Sequence, residues 1–274
     1  MNHLLQVADV LARIPGWDAG NASWREIRGG LTNRSWLLTA GERRYVVRLD
    51  GAPAKALGLD RHTELAIHRN AAAAGIAPEV VYAEPDAGLL VCEYAPGPVW
   101  EPGALAVPAN VEVLGALLRA VHSLPRSGVA FDAPAIARRY RAALSSEAAR
   151  RVGADACVRA VDGAPPREVL VCCHNDIVAS NIVGAGRPRL LDWEYACDND
   201  PYYDLAALAG YHALGRGTRD ALLAAWTGRP AAESRERLEA RLVEYAALER
   251  LWFAVMGIDK PAAAARGAGT TRHS

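Results

Sequence analysis

VCCHNDIVASNIV, residues 171–183, runs from a short apolar segment into His174, Asn175 and Asp176, then places Asn181 five residues after Asp176. Two readings fit the polar residues. They form a surface turn held by local hydrogen bonds, or they divide the labour of a phosphate-transfer site. Phosphoryl transfer needs a group that orients or deprotonates the attacking hydroxyl, ligands for magnesium, a cation on the phosphates and a backbone loop over them. Asp176 suits the first task. Asn181 would offer its amide oxygen to magnesium, a hard cation that prefers oxygen. His174 braces the loop by hydrogen bonds, since a nucleophilic histidine has no purpose in a direct in-line transfer.

Working outward, RPRLLDWEYA follows at 187–196, where a strand-like run ends in Asp192, eleven residues beyond Asn181. Asp192 is the candidate second magnesium ligand. An H-x-D-x-x-x-x-N loop followed by a strand and an acidic residue is far less common than either piece alone.

Upstream, GGLTNRS (29–35) lies between two strand-like runs. Gly29 and Gly30 permit close backbone approach to phosphate, and Thr32, Asn33 and Ser35 add donors. A plain hairpin turn explains the glycines equally well. Arg48 in YVVRLDG would reach nucleotide phosphates, with Glu64 on the next helix as its ion-pair partner. GLLVCEYAPG brings Glu93, Tyr94 and Ala95 to the end of a strand, where backbone groups would read an adenine edge.

The alternation of apolar residues predicts strands in WREI, RSWLLTA, RRYVVRLDG, EVVYAE and GLLVCEYA. A helix over 60–74 follows the third strand and is ended by Gly75. Another helix is expected over 3–14, stopped by Pro15-Gly16. A proline-rich connector begins at Ala95. Beyond it, helical spacing predicts helices over 109–124, 133–150, 201–214, 218–227 and 234–256, around a strand-rich island near 168–195. The organisation expected is α+β: residues 1–95 as a nucleotide-binding part, 96–260 as a helical catalytic and acceptor-binding part, and a mobile tail at 261–274.

Composition sets outer limits. The 274 residues are 51% hydrophobic and 23% charged, with formal net charge zero. That is ordinary for a globular protein and gives no broad surface for nucleic acid or anionic lipid. No apolar run is long enough to span a bilayer, and the first residues lack the pattern of a signal peptide. The five cysteines have irregular spacing and no CxxC pair, which excludes a recognisable disulfide framework or zinc site and points to a reduced, cytoplasmic setting. No HExxH helix supports a metal hydrolase. Monomer and homodimer are both compatible.

In order along 29–253, the segments GGLTNRSW, YVVRLDG, GIAPEVVYAEPDAGLLVCEYAPG, LLRAVHSLP, CHNDIVASNIV, LLDWEYACDNDPYYDLA and ERLWFAV resemble the choline/ethanolamine kinase branch of the aminoglycoside phosphotransferase-like superfamily, thiamine kinases included. HNDIVASNIV and LLDWEYA are the specific pieces. The resemblance implies a two-lobed, protein-kinase-like fold that binds ATP and Mg2+ between its lobes and phosphorylates a small alcohol over the helical lobe. Residue by residue, it makes Asp176 the catalytic base beside His174. Asn181 and Asp192 become metal ligands, and Arg48 stands where protein kinases carry lysine.

A small cationic alcohol would be bound by aromatic faces helped by a carboxylate. Trp193, Glu194, Tyr203, Asp204 and Trp252 are the candidates for that wall, Glu194 being the candidate partner of the cation. Helical spacing on the last helix equally allows Tyr245 and Trp252 to be core, and Asp204 to cap a helix. Choline, ethanolamine and thiamine all satisfy this chemistry. The alternatives are an aminoglycoside-modifying enzyme with a wider acidic cleft and a catalytically silent nucleotide-binding scaffold.

Overall fold

A computed structural model describes residues 22–27 and 31–259. The expected helix over 3–14, Gly29, Gly30 and the tail at 261–274 lie outside the described residues.

Five strands form one antiparallel sheet: β1 (Ala22–Ile27), β2 (Asn33–Ala40), β3 (Arg43–Asp50), β4 (Val80–Glu84) and β5 (Leu89–Glu93), in spatial order β1-β2-β3-β5-β4. Period-two alternation sorts its faces. Trp36, Leu38, Tyr45, Val47, Leu89 and Val91 pack into one small core. The intervening Val46, Arg48, Leu90 and Cys92 face the cleft. This alternation is why a cation in the run YVVRL reaches the site rather than the outer face.

After β3 come a short helix α1 (Pro53–Leu57) and the long α2 (Arg61–Ala73). Asp60 caps α2, its carboxylate accepting the amides of His62 and Thr63, both at 3.1 Å. Such a cap is worth about 1 kcal/mol. It fixes where the first turn begins, and Glu64 sits in that turn.

The remainder is mainly helical: α3 (Pro108–His122), α4 (Ala133–Ala143), α5 (Ser146–Val152), α6 (Ala154–Asp162), α7 (Tyr202–Tyr211), α8 (Arg216–Thr227) and α9 (Arg235–Met256). The helix expected over 133–150 is divided, because Ser145 leaves helical geometry and caps α5 through the Ala148 amide. Leu118, Leu205 and Leu208 are fully buried in the large core, each contributing roughly 2 kcal/mol. Two small antiparallel pairs carry the functional loops. They are β6 (Val171–Cys173) with β9 (Cys197–Asn199), and β7 (Ile182–Val183) with β8 (Arg189–Leu190). The architecture is the two-lobed, α+β, protein-kinase-like fold.

Candidate active site

The loop from β6 to β7 is built around a buried histidine. The His174 ring donates from Nε2 to the Leu191 carbonyl at 2.9 Å, and its Nδ1 accepts the Asp176 amide at 3.3 Å. These partners set the tautomer, and burial pushes the imidazole pKa down, so the ring is neutral. Beneath the loop, Asp204 accepts the amides of His174 (3.1 Å) and Asn175 (2.6 Å) and the Nε2 of His122 (3.0 Å). Asn175 holds a left-handed backbone, φ 66°, as does Asp192, φ 60°. Non-glycine residues adopt this region at a cost that surrounding structure must offset, and such positions concentrate at functional sites. Asn181 donates from Nδ2 to the Asp176 carbonyl at 3.0 Å, which leaves its Oδ1 as the end offered to a cation.

The sheet supplies the cations. Arg48 contacts Glu64 at 2.6 Å and Asp192 at 3.3 Å. Arg61, which the sequence reading did not single out, contacts Asp50 (2.7 Å), Glu64 (2.8 Å), Glu194 (3.1 Å) and the Asn33 side-chain oxygen (2.9 Å). Removal from water, then the charges of Asp192 and Glu194, push the Asp176 pKa well up. Removal from water and the Glu194 charge push Asp192 up to about 7, against the pull of Arg48. Carboxylates that raise one another in this way are a donor set suited to a divalent cation.

Two cavities meet at these groups, and Thr32, Ser35, Asn181 and Asp192 line both. The sheet-side cavity, about 250 Å3, has the walls Val46, Leu90, Cys92 and Leu191, with Glu93, Tyr94 and Ala95 at one end. There the Glu93 amide donates to Glu79 and the Tyr94 amide to Arg44, both at 2.9 Å. The helix-side cavity, about 410 Å3, has Asp176 and Glu249 in its lining, with Phe131, Tyr140, Tyr195, Tyr203, Tyr211, Tyr245, Trp252 and Phe253. The Trp252 indole donates to the Tyr195 hydroxyl at 2.9 Å.

Of the five residues expected on the acceptor wall, Tyr203 and Trp252 line the helix-side cavity. Three sit differently. Trp193 is fully buried, its indole donating to the Leu190 carbonyl and its rings packed against His174 and His68 on the sheet side. Asp204 is fully buried under the loop from β6 to β7, with its oxygens engaged there. Glu194 reaches the cavity, but its carboxylate accepts from Thr32 (2.7 Å), Asn33 (2.6 Å) and Arg61, so it is committed to the sheet side. Sequence reasoning missed Glu249. The signal was available: Tyr245, Glu249, Trp252 and Phe253 fall at i, i+4, i+7 and i+8, one face of α9.

An aspartate presented beside an amide and a second carboxylate, between a cation-bearing sheet and an aromatic cavity on a kinase-like fold, is an arrangement suited to phosphoryl transfer. The chain belongs to the phosphotransferase enzyme family, whose family model matches residues 23–252. No curated protein matches it. Among solved structures it is similar to a choline/ethanolamine kinase family protein from Mesorhizobium loti (25% identity, 98% of this chain and 92% of that one, TM-score 0.72). It also resembles the choline kinase LicA from Streptococcus pneumoniae (20% identity, 97% and 95% covered, TM-score 0.74). An aminoglycoside-3'-phosphotransferase of type VIII shares the fold (19% identity, 91% and 100% covered, TM-score 0.65). Among the described residues, no helix is long and apolar enough to cross a membrane.

Proposed function

We propose that the protein is an ATP-dependent kinase of a small cationic alcohol: choline, ethanolamine or thiamine. The observation that carries this reading is the helix-side cavity. Aromatic side chains enclose it, Asp176 opens onto it, and Glu249 is the lining carboxylate that α9 contributes. Asp176, Asp192 and Glu194 also line it, but Arg48 engages Asp192 and Arg61 engages Glu194, so Glu249 is the carboxylate that stands among the aromatic faces, a set that suits a single fixed positive nitrogen.

In this reading the nucleotide occupies the sheet-side cavity. The Glu93 carbonyl and Ala95 amide read the base edge, and Arg48, anchored by Glu64, steadies the phosphates. Asn181 and Asp192 would hold Mg2+, which on binding neutralises charge on the transferring phosphoryl group. Asp176 accepts a hydrogen bond from the acceptor hydroxyl and takes its proton as transfer proceeds. His174 keeps the Asp176 backbone in place. Tyr203, Trp252 and Glu249 hold the acceptor so that its hydroxyl faces Asp176.

The test is ADP release in the presence of Mg2+ and ATP, with choline, ethanolamine, thiamine or kanamycin as acceptor and Asp176→Ala alongside. Turnover with one cationic alcohol that is lost in the variant supports the proposal. Turnover with kanamycin alone would overturn it in favour of the antibiotic-modifying reading, and nucleotide binding with no turnover of any acceptor would favour the scaffold.

A further inference from the structure

Glu194 lies two residues beyond Asp192, yet its carboxylate points into the sheet-bearing lobe. Oε1 accepts the Thr32 hydroxyl at 2.7 Å. Oε2 accepts the Asn33 amide at 2.6 Å and Arg61 at 3.1 Å. Thr32 and Asn33 stand at the start of β2, and Arg61 opens α2. Arg61 in turn binds Glu64, and Glu64 binds Arg48, which returns to Asp192. The contacts therefore form a closed ring: Asp192, Arg48, Glu64, Arg61, Glu194 and back through the chain to Asp192. Glu64, Arg61, Glu194 and Arg48 are all buried, with exposures of 2%, 9%, 5% and 9%. Charged hydrogen bonds at such burial are strong, and their geometry is narrowly set.

We propose that Glu194 is a positioning residue for the nucleotide phosphates. By gripping Thr32, Asn33 and Arg61 from a point two residues past Asp192, it fixes the start of β2 and the Arg48–Glu64 pair relative to the segment that carries Asp192. It is thus not the partner of the acceptor's positive charge. The proposal rests on the nucleotide-binding reading above.

The test compares wild type with Glu194→Gln, Arg61→Gln and the double variant. Dissociation constants for Mg·ADP come from tryptophan fluorescence, and the KM values for ATP and for the acceptor from initial rates. All work is done well below each variant's melting temperature. Glutamine keeps the size of Glu194 but removes its charge and turns an amide toward one of its donors. The expected result for Glu194→Gln is a tenfold or greater rise in the Mg·ADP dissociation constant and in KM for ATP, with KM for the acceptor within twofold. The double variant should fall short of the product of the two single-variant effects, because the Glu194–Arg61 contact is common to both. A purely structural defect would not move the two KM values apart. If Glu194→Gln does not fold, Thr32→Ala removes one donor from the same carboxylate and should shift nucleotide affinity alone by a few-fold.

A rise in acceptor KM with nucleotide affinity unchanged would overturn the proposal, as would unchanged values for both. If wild-type protein fails to bind Mg·ADP, the nucleotide-site reading itself fails and the proposal falls with it. If wild type binds and the variants bind equally well, only the proposal falls.

Discussion

Arg48 and Glu64 meet at 2.6 Å across the cleft face of the sheet, and the same guanidinium reaches Asp192 at 3.3 Å. A planar fork spans two carboxylates on different elements, whereas a lysine ammonium is a point charge on a flexible stem. Arg48→Lys is therefore expected to keep one contact and lose the bridge. kcat/KM for ATP should fall by roughly 10- to 100-fold, which corresponds to about 1.4–2.8 kcal/mol of transition-state stabilisation. Glu64→Gln should act in the same direction. Initial-rate kinetics at varied ATP would show it, and an unchanged kcat/KM would mean that the bridge has no part in phosphate positioning.

Trp252 and Glu249 both line the helix-side cavity, and neither lines the sheet-side one. A cation over an aromatic face gains about 0.5–2 kcal/mol. Trp252→Leu and Glu249→Gln should each raise KM for a cationic acceptor by roughly 2- to 30-fold on that scale, with KM for ATP unmoved. The sharper comparison is choline against 3,3-dimethylbutanol, its uncharged isostere. Wild type should prefer choline, and each variant should narrow the preference.

The differing success of the sequence along the chain has a physical pattern. The sheet was legible because alternation in RSWLLTA and RRYVVRLDG sorts residues onto two faces without help from the rest of the fold. That Asp176, Asn181 and Asp192 would meet was legible because their spacing belongs to a single loop and the strand after it. Trp193, Glu194 and Asp204 were harder. Adjacency to Asp192 says nothing about which way a side chain leaves an irregular segment, and here successive residues diverge. Trp193 goes into the core, Glu194 to the sheet-bearing lobe, and Asp204 lies beneath the loop. Helix α6 escaped notice because Gly153 gives it no side-chain cap and only Ala154, Cys157 and Val161 are buried along it.

Helix α9 also carries a buried polar network that the aromatic pattern conceals. Arg241 contacts Asp200 at 3.1 Å and Glu244 at 2.7 Å, and donates to the Pro165 and Pro166 carbonyls. Arg167 takes the other Glu244 oxygen at 2.6 Å and reaches Asn199, which donates to Asn175 of the β6–β7 loop at 2.8 Å. Removing one member of a buried pair leaves a charge without its partner and costs about 3–5 kcal/mol. For a chain of this size, Arg241→Met should lower the melting temperature by roughly 5–9 °C. Differential scanning calorimetry would read this. A change under a degree or two would mean that the network contributes nothing net.

Acid should destabilise the fold through His68. Its ring is buried on α2 with Nε2 donating to the Pro78 carbonyl at 3.0 Å. Burial pushes its pKa down to about 4, helped by the positive charge of Arg48 and opposed by the Pro78 hydrogen bond. An unfolded histidine titrates near pH 6.5. Below that pH the unfolded chain binds a proton that the folded chain refuses, so stability is full above about 6.5 and is lost as pH falls toward about 4. The window corresponds to at most about 3 kcal/mol for this one group. His174, also held neutral by burial, adds in the same direction. The raised pKa values of Asp176 and Asp192 act in the opposite sense over the same range, so the contribution of His68 is read from urea denaturation at pH 7, 6, 5 and 4 as the difference between wild type and a non-titrating variant. His68→Gln keeps a donor for Pro78 but cannot titrate, so its slope should be shallower by up to one proton. Equal slopes for wild type and variant would show that His68 is protonated as readily in the folded chain as in the unfolded one.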